Sequence, residues 1–242
     1  VYPISKYKRK GLLGSCYAVK DHKGINPEFG TSEDFKQMVN NAHDMGFKVL
    51  LDWVAAHTGC DDAWVTEHPD WYIKDENSDF VGAHDWEDTY MLDYDNSEMC
   101  AAMMEALEFW IHKYDVDGYR CNAAQEIPIN FWENARERLD SIKPVFMLAE
   151  AEHPELLANA FDMCYNWSLK DMINKISDCQ LGKGYNENNE NICALHLDEL
   201  IAYQDTAFPM DSYLMNHISG HNINSYEGTE FDRLGAGVKA FA

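Results

Sequence analysis

Apolar positions along this chain follow two rhythms that take turns. Phe35, Met38, Val39 and Ala42 recur at three- and four-residue steps, the spacing of one helix face. Thr31-Ser32-Glu33-Asp34 opens that helix, with a hydroxyl at the cap and an acid three residues on, and Gly46 stops it. Phe47-Lys48-Val49-Leu50-Leu51-Asp52 then reads as a strand buried on both faces. The succession repeats. A helix over 97–114 gathers Cys100, Met103, Met104, Leu107, Trp110 and Ile111 on one side, and a strand over 116–121 follows. Asn130 is placed to cap a helix running to Leu139, ahead of a strand over 145–150. Further on come a short helix over 154–158, a strand over 161–164 and a helix over 168–177. A Gly/Asn-rich loop over 179–193, a helix over 195–203, a strand over 212–219 and a helix over 231–241 complete the reading.

Strands that alternate with helices imply parallel βαβ units, and no repeat or low-complexity linker divides them. Both a (β/α)8 barrel and an open doubly wound sheet carry their sites at the strands' C-terminal ends. No GxGxxG or phosphate loop favours a nucleotide fold. Polar residues stand just past the predicted strands: Asp52 and His57, Arg120 and Asn122, Glu150, and His221 and Asn222. Alternate residues of a strand share a face, so Arg120 and Asn122 point the same way. Alone, that pair fits equally well a buried Arg satisfied by backbone carbonyls. Residues 53–96 break the rhythm and are dense in Trp64, Trp71, Tyr72, Trp86, Tyr90 and Tyr94. So long a stretch is unlike a plain loop, and it reads as a small inserted subdomain. Its aromatics serve as its own core, or in part as a stacking surface.

Composition narrows the function. With 242 residues, 46% of them hydrophobic, the chain can bury a large core. A formal net charge of −23 repels phosphate backbones, which argues against nucleic acid as a partner. No apolar run approaches the roughly 18 residues of a membrane span. The seven cysteines are scattered, with no CxxC pair, and read as free thiols instead of a zinc or redox centre.

Four stretches together carry a family resemblance. Leu51-Asp52-Trp53-Val54-Ala55-Ala56-His57-Thr58-Gly59 resembles the first signature of the α-amylase family of glycoside hydrolases, and Asp117-Gly118-Tyr119-Arg120-Cys121-Asn122-Ala123 the second. Phe146-Met147-Leu148-Ala149-Glu150 resembles the third, and Gly220-His221-Asn222 the fourth. Tyr17, four residues before Asp21, is placed like the family's sugar-stacking Tyr. Order and spacing fit over nearly the whole chain, most nearly in the manner of bacterial α-amylases of the gut Bacteroidetes type. The resemblance implies a (β/α)8 barrel, built from 1–52 and 97–242, with the subdomain of 53–96 inserted after strand three. It implies retaining hydrolysis of α-1,4-glucans (starch or maltooligosaccharides) by paired carboxyl groups, and an extracellular or periplasmic bacterial setting. Glu150 then matches the acid/base and Arg120 the residue that orients the nucleophile. Tyr17, His57 and His221 match sugar contacts, and Asp52 a structural acid beneath the site.

Departures from the pattern are as informative. The nucleophile position holds Asn122 and the third carboxylate's position Asn222. An amide has no anionic oxygen with which to attack an anomeric carbon, so turnover is expected to be impaired or absent. The alternative is a catalytically inactive relative that still binds glucan. Ala56 stands where the family often has a calcium-ligating Asn, and a methyl group offers a hard cation nothing. Strand one, most of strand two and strand eight find no counterpart in the pattern, so the barrel is expected to be incomplete and poorly stable as an isolated monomer.

Overall fold

The computed structural model describes residues 1–84, 86–180 and 192–217, with backbone alone for 175–180 and 192–195. Its elements in chain order are α1 (Ser32–Asp44), β1 (Leu50–Val54), β2 (His57–Gly59), α2 (Ala63–Glu67), β3 (Thr89–Met91), α3 (Ser97–Tyr114) and β4 (Gly118–Asn122). Then follow α4 (Ile129–Ile142), β5 (Phe146–Ala149), α5 (Leu156–Asn159), β6 (Met163–Tyr165), α6 (Trp167–Gln180), α7 (Ile192–Ala207) and β7 (Tyr213–Met215). The predicted loop over 179–193 lies mostly outside the described residues, and the helix over 231–241 entirely so.

Two compact units result. The first is Val1–Glu150 with Asn159–Phe161. The second takes Ala151–Ala158 and the described residues from Asp162 onward.

In the first unit, the α1 cap forms as its sequence dictates. The Thr31 hydroxyl accepts from the Asp34 amide, and the Asp34 carboxylate accepts from the Thr31 amide at 2.8 Å. Val39 is fully buried, and Phe35 sets its ring edge-on to Trp110 and Tyr114 of α3. Helix α3 buries Met99, Met103, Leu107, Trp110 and Ile111, the predicted face extended by one turn. Under it, β1, β4 and β5 run parallel. Asp52 pairs with Arg120 and Val54 with Asn122, while Arg120 pairs with Leu148 and Cys121 with Ala149.

Strand β1 starts at Leu50, three residues later than the apolar run suggests. The cause is Asp117. Its carboxylate takes the Val49 amide (2.9 Å), Lys48 Nζ (3.0 Å) and His43 Nε2 (2.7 Å), so these residues serve a side chain before the ladder begins. Burial opposes ionisation of Asp117, but those donors outweigh it and hold the carboxyl at about 2. Nor is β1 buried on both faces. Leu51 and Trp53 are covered, whereas Leu50 is 36% exposed and Asp52 lies open on the same face. That face is the one that carries the polar residues discussed below.

Helix α4 begins one residue before its expected cap. Pro128 occupies the N-cap at φ −55°, and Asn130 falls inside the first turn. Proline has no amide hydrogen to lose and a φ already near helical, so it opens the helix without a side-chain cap.

Residues 55–96 fold around a short antiparallel pair, β2 with β3, in which His57 faces Met91. Trp71 and Tyr72 are buried, and the Tyr72 hydroxyl meets Thr58 Oγ1 at 2.9 Å. Trp71 and Tyr72 thus form local core, while Trp64, Tyr90 and Tyr94 are half-buried and Trp86 is exposed.

In the second unit, β6 and β7 pair in parallel, with Cys164 opposite Leu214. Asn166 ties this unit together: its side chain meets Asn216 (3.0 Å), Gln204 (2.8 Å) and the Leu169 amide (3.1 Å). Among the described residues, no helix is long and apolar enough to cross a membrane.

Candidate active site

The site sits at the C-terminal ends of β1, β4 and β5. The in-register pairing sets Asp52 beside Arg120. Alternation along β4 then places Asn122 on the face that Arg120 occupies. Glu150 follows directly on β5, its amide bonded to the Cys121 carbonyl at 2.9 Å, which swings its carboxylate toward Asn122.

That carboxylate is gripped from three directions. Arg120 Nη2 pairs with Glu150 Oε1. Asn122 Nδ2 donates to Oε2 at 2.5 Å, and the Ala123 amide donates to the same oxygen at 3.1 Å. Ala123 reaches that position by adopting left-handed backbone (φ 46°), rare for a residue with a Cβ. Arg120 Nη1 also bonds Asp52 Oδ1 at 2.8 Å, so one guanidinium bridges two carboxylates. Its side chain is 11% exposed, against 48% for Asp52 and 16% for Glu150. The cation is therefore shielded while one anion stays wet, and the pairing with Glu150 is screened less than the pairing with Asp52.

Tyr17 and His57 close one side. The Tyr17 hydroxyl donates to Asp52 Oδ2 at 3.3 Å, and burial, with the Asp52 charge, keeps it a phenol well past its usual range. His57 Nε2 lies 3.1 Å from the Tyr17 carbonyl. A carbonyl only accepts, so Nε2 carries the hydrogen. Burial pushes the imidazole down to about 4, so it is neutral and Nδ1 is a bare acceptor, buried with no described partner.

Six residues named from the sequence are thus assembled in one place: Tyr17, Asp52, His57, Arg120, Asn122 and Glu150. His221 and Asn222 lie outside the described residues. Three features had no sequence signal, because each depends on chain-distant packing. They are the Ala123 amide on Glu150, the Trp86 ring against His57 at 5.6 Å, and the His84–Glu126 pair at 3.1 Å. At Ala56, the donor set does not fit a calcium ion. The side chain is a methyl group, and its carbonyl already accepts the Leu92 amide at 3.0 Å.

Burial of neutral imidazoles has a measurable consequence. His22, 2% exposed and bonded through Nε2 to the Val54 carbonyl (2.7 Å), is pushed by burial down to about 4, like His57. Both bind a proton more readily unfolded, near 6.5, than folded. Their stabilisation is present above pH 6.5 and lost as pH falls toward 4, by roughly 3 kcal/mol each. Asp62 opposes them. Burial, then the nearby Asp21 and Asp61, raises its carboxyl to about 7, so its contribution grows as pH falls from 7 toward 4. Two histidines outweigh one aspartate, and unfolding free energy is expected to be lower at pH 4.5 than at pH 7. Urea titrations at both values check this, and equal midpoints contradict it.

A family model described as the α-amylase catalytic domain matches residues 3–193. A maltogenic α-amylase of Bacillus acidopullulyticus is 26% identical over 75% of this chain and 35% of its own length. A cyclomaltodextrinase of Geobacillus thermopakistaniensis is 28% identical over 64% of the chain and 30% of its own length. Among solved structures, an α-amylase of Lactobacillus plantarum superposes with a TM-score of 0.80 at 32% identity, over 95% of this chain and 56% of that one. A noncanonic maltogenic α-amylase of Thermotoga neapolitana gives 0.79 at 31%, over 92% and 50%. The chain spans about a third of the length of these curated relatives and about half of the solved ones. The fold is that of their catalytic (β/α)8 barrel, represented here in part.

Proposed function

We propose, from the premise that this chain belongs to the α-amylase family of glycoside hydrolases, that it binds α-1,4-linked glucans at the ends of β1, β4 and β5 and cleaves them with impaired turnover. The observation that supports this most is the direct contact of Asn122 with Glu150 at 2.5 Å.

Retaining cleavage needs a nucleophilic carboxylate and an acid about 5–5.5 Å apart, with the glycosidic bond between them. Here an amide fills the nucleophile's place and donates a hydrogen bond to the would-be acid. Glu150 Oε2 already takes Asn122 Nδ2 and the Ala123 amide, whereas a general acid must turn its oxygen to the leaving group. The contact must also open before a sugar can enter between the two residues. The binding elements remain: a phenol at Tyr17, a bare imidazole acceptor at His57, and Arg120 with its two carboxylates. Neutral, hydroxyl-rich ligands suit this set, since they exchange hydrogen bonds without bringing net charge to an acidic protein.

The same contact favours a second reading, a silent glucan-binding module. Two measurements on the whole chain separate the readings. Calorimetry with maltoheptaose is expected to show saturable binding, and no heat at millimolar ligand overturns both. Reducing-sugar release over a long incubation, removed by Glu150→Gln, supports residual turnover. None above that variant leaves the binding module.

A further inference from the structure

We propose that Trp86 is a sugar-stacking platform of this site, taking the apolar face of a glucose ring adjacent to the one held at His57. The proposal rests on the glucan reading above and deepens it.

Trp64, Trp71, Tyr72, Trp86, Tyr90 and Tyr94 looked alike in the sequence, and the structure sorts them. Trp71 and Tyr72 are 6% and 3% exposed. Trp64 stacks on His22 and meets Trp71 edge-on. Tyr90 packs on Phe80, and the Tyr94 hydroxyl donates to the Ala55 carbonyl. Trp86 differs in two respects at once. It is 36% exposed, and its ring lies 5.6 Å from that of His57 at 77°.

The ring is also held in place. His84 lies edge-on at 5.1 Å, and the Trp86 amide donates to the Ala83 carbonyl at 3.0 Å. The Lys10 ammonium sits 5.4 Å from the ring centroid and pairs with buried Asp88 at 3.3 Å. A fixed indole loses little conformational freedom when a ligand covers it, which is what makes an exposed aromatic an efficient contact. A pyranose matches it chemically. One face of a glucose ring presents C–H groups to the indole, while the hydroxyls at its rim remain free for polar partners. Such partners stand around Trp86: the bare Nδ1 of His57 accepts, and the half-exposed Lys10 donates. Exposed apolar area on a rigid ring, next to unused hydrogen-bonding capacity, is the composition of a small-molecule contact and not of a packing residue.

The test uses the full 242-residue chain with maltoheptaose as probe. Calorimetry compares the parent with Trp86→Phe, which keeps an aromatic face, and Trp86→Leu, which keeps apolar bulk without one. Intrinsic tryptophan fluorescence is followed in the same titrations. The expected result is a Kd raised at least about tenfold in Trp86→Leu and within about threefold of the parent in Trp86→Phe. The ligand-dependent fluorescence change of the parent should vanish in Trp86→Phe. Equal affinities for the parent and Trp86→Leu overturn the platform while leaving the glucan reading intact. Should Trp86→Leu fail to fold, a fluorescence response that persists in Trp86→Phe overturns it by itself. Absence of binding by the parent removes both readings together.

Discussion

Asn122→Asp combined with Asn222→Asp is expected to raise maltoheptaose hydrolysis by on the order of 10⁴-fold over the parent, a change of about 5 kcal/mol in barrier. The substitution at position 122 acts twice. It supplies an oxygen anion able to attack the anomeric carbon, and it removes the amide hydrogen bond that holds Glu150 Oε2 at 2.5 Å. Two carboxylates so close cannot both stay ionised, so the pair must share a proton or separate. Separation is the outcome that catalysis needs, since it opens the gap that a glycosidic oxygen occupies. Arg120, already bonded to Asp52 and Glu150, is adjacent to steady the new charge. The measurement is initial-rate reducing-sugar release across pH. A bell-shaped profile that disappears on adding Glu150→Gln supports the assignment. If the doubly substituted chain folds, binds maltoheptaose and still releases no sugar, the site has been remodelled beyond the loss of two carboxylates.

Much of this site could be read from the amino acids because it depends on local periodicity. Arg120 and Asn122 share a face for the simple reason that strands alternate, and Glu150 lies one residue past an apolar run. Placing Asp52 beside Arg120 needed a register between strands 68 residues apart in sequence, which no local pattern encodes. The same limit hid Trp86. Six aromatics in an aperiodic stretch are equivalent until the chain folds and one of them meets His57. Element boundaries failed for a different reason. Val49 looks like strand, but its amide is claimed by the Asp117 carboxylate, and Asn130 looks like a cap but is pre-empted by Pro128. In both cases a polar side chain or an imino acid competes with the ladder or the helix, and hydropathy does not register that competition.

Gly118→Ala is expected to abolish cooperative folding, or to lower unfolding free energy by more than about 4 kcal/mol, the range reserved for backbone clashes and lost networks. Gly118 opens β4 at φ 153°, a conformation that side chains with a Cβ rarely adopt. Space is the harder constraint. A Cβ at this position would stand 1.9 Å from the Phe146 carbonyl oxygen and 2.7 Å from the Phe146 amide nitrogen. These are backbone atoms of the paired strand, so no side-chain rotation relieves the contact. β4 would have to move away from β5, and their register runs from Gly118 with Phe146 to Cys121 with Ala149. The displacement reaches the site within one strand length, because Glu150 is positioned by its amide bond to Cys121 and its carboxylate is held by Arg120, Asn122 and Ala123. Asp117, immediately upstream, would be pulled from Val49, His43 and Lys48. Circular dichroism melts and amide exchange of the Gly118→Ala variant beside the parent read the effect. A melt within a few degrees of the parent's, with β4 amides still protected, would mean that the strands can part by the missing ångström at little cost. In that event the grip on Glu150 could not depend on the close approach of β4 and β5.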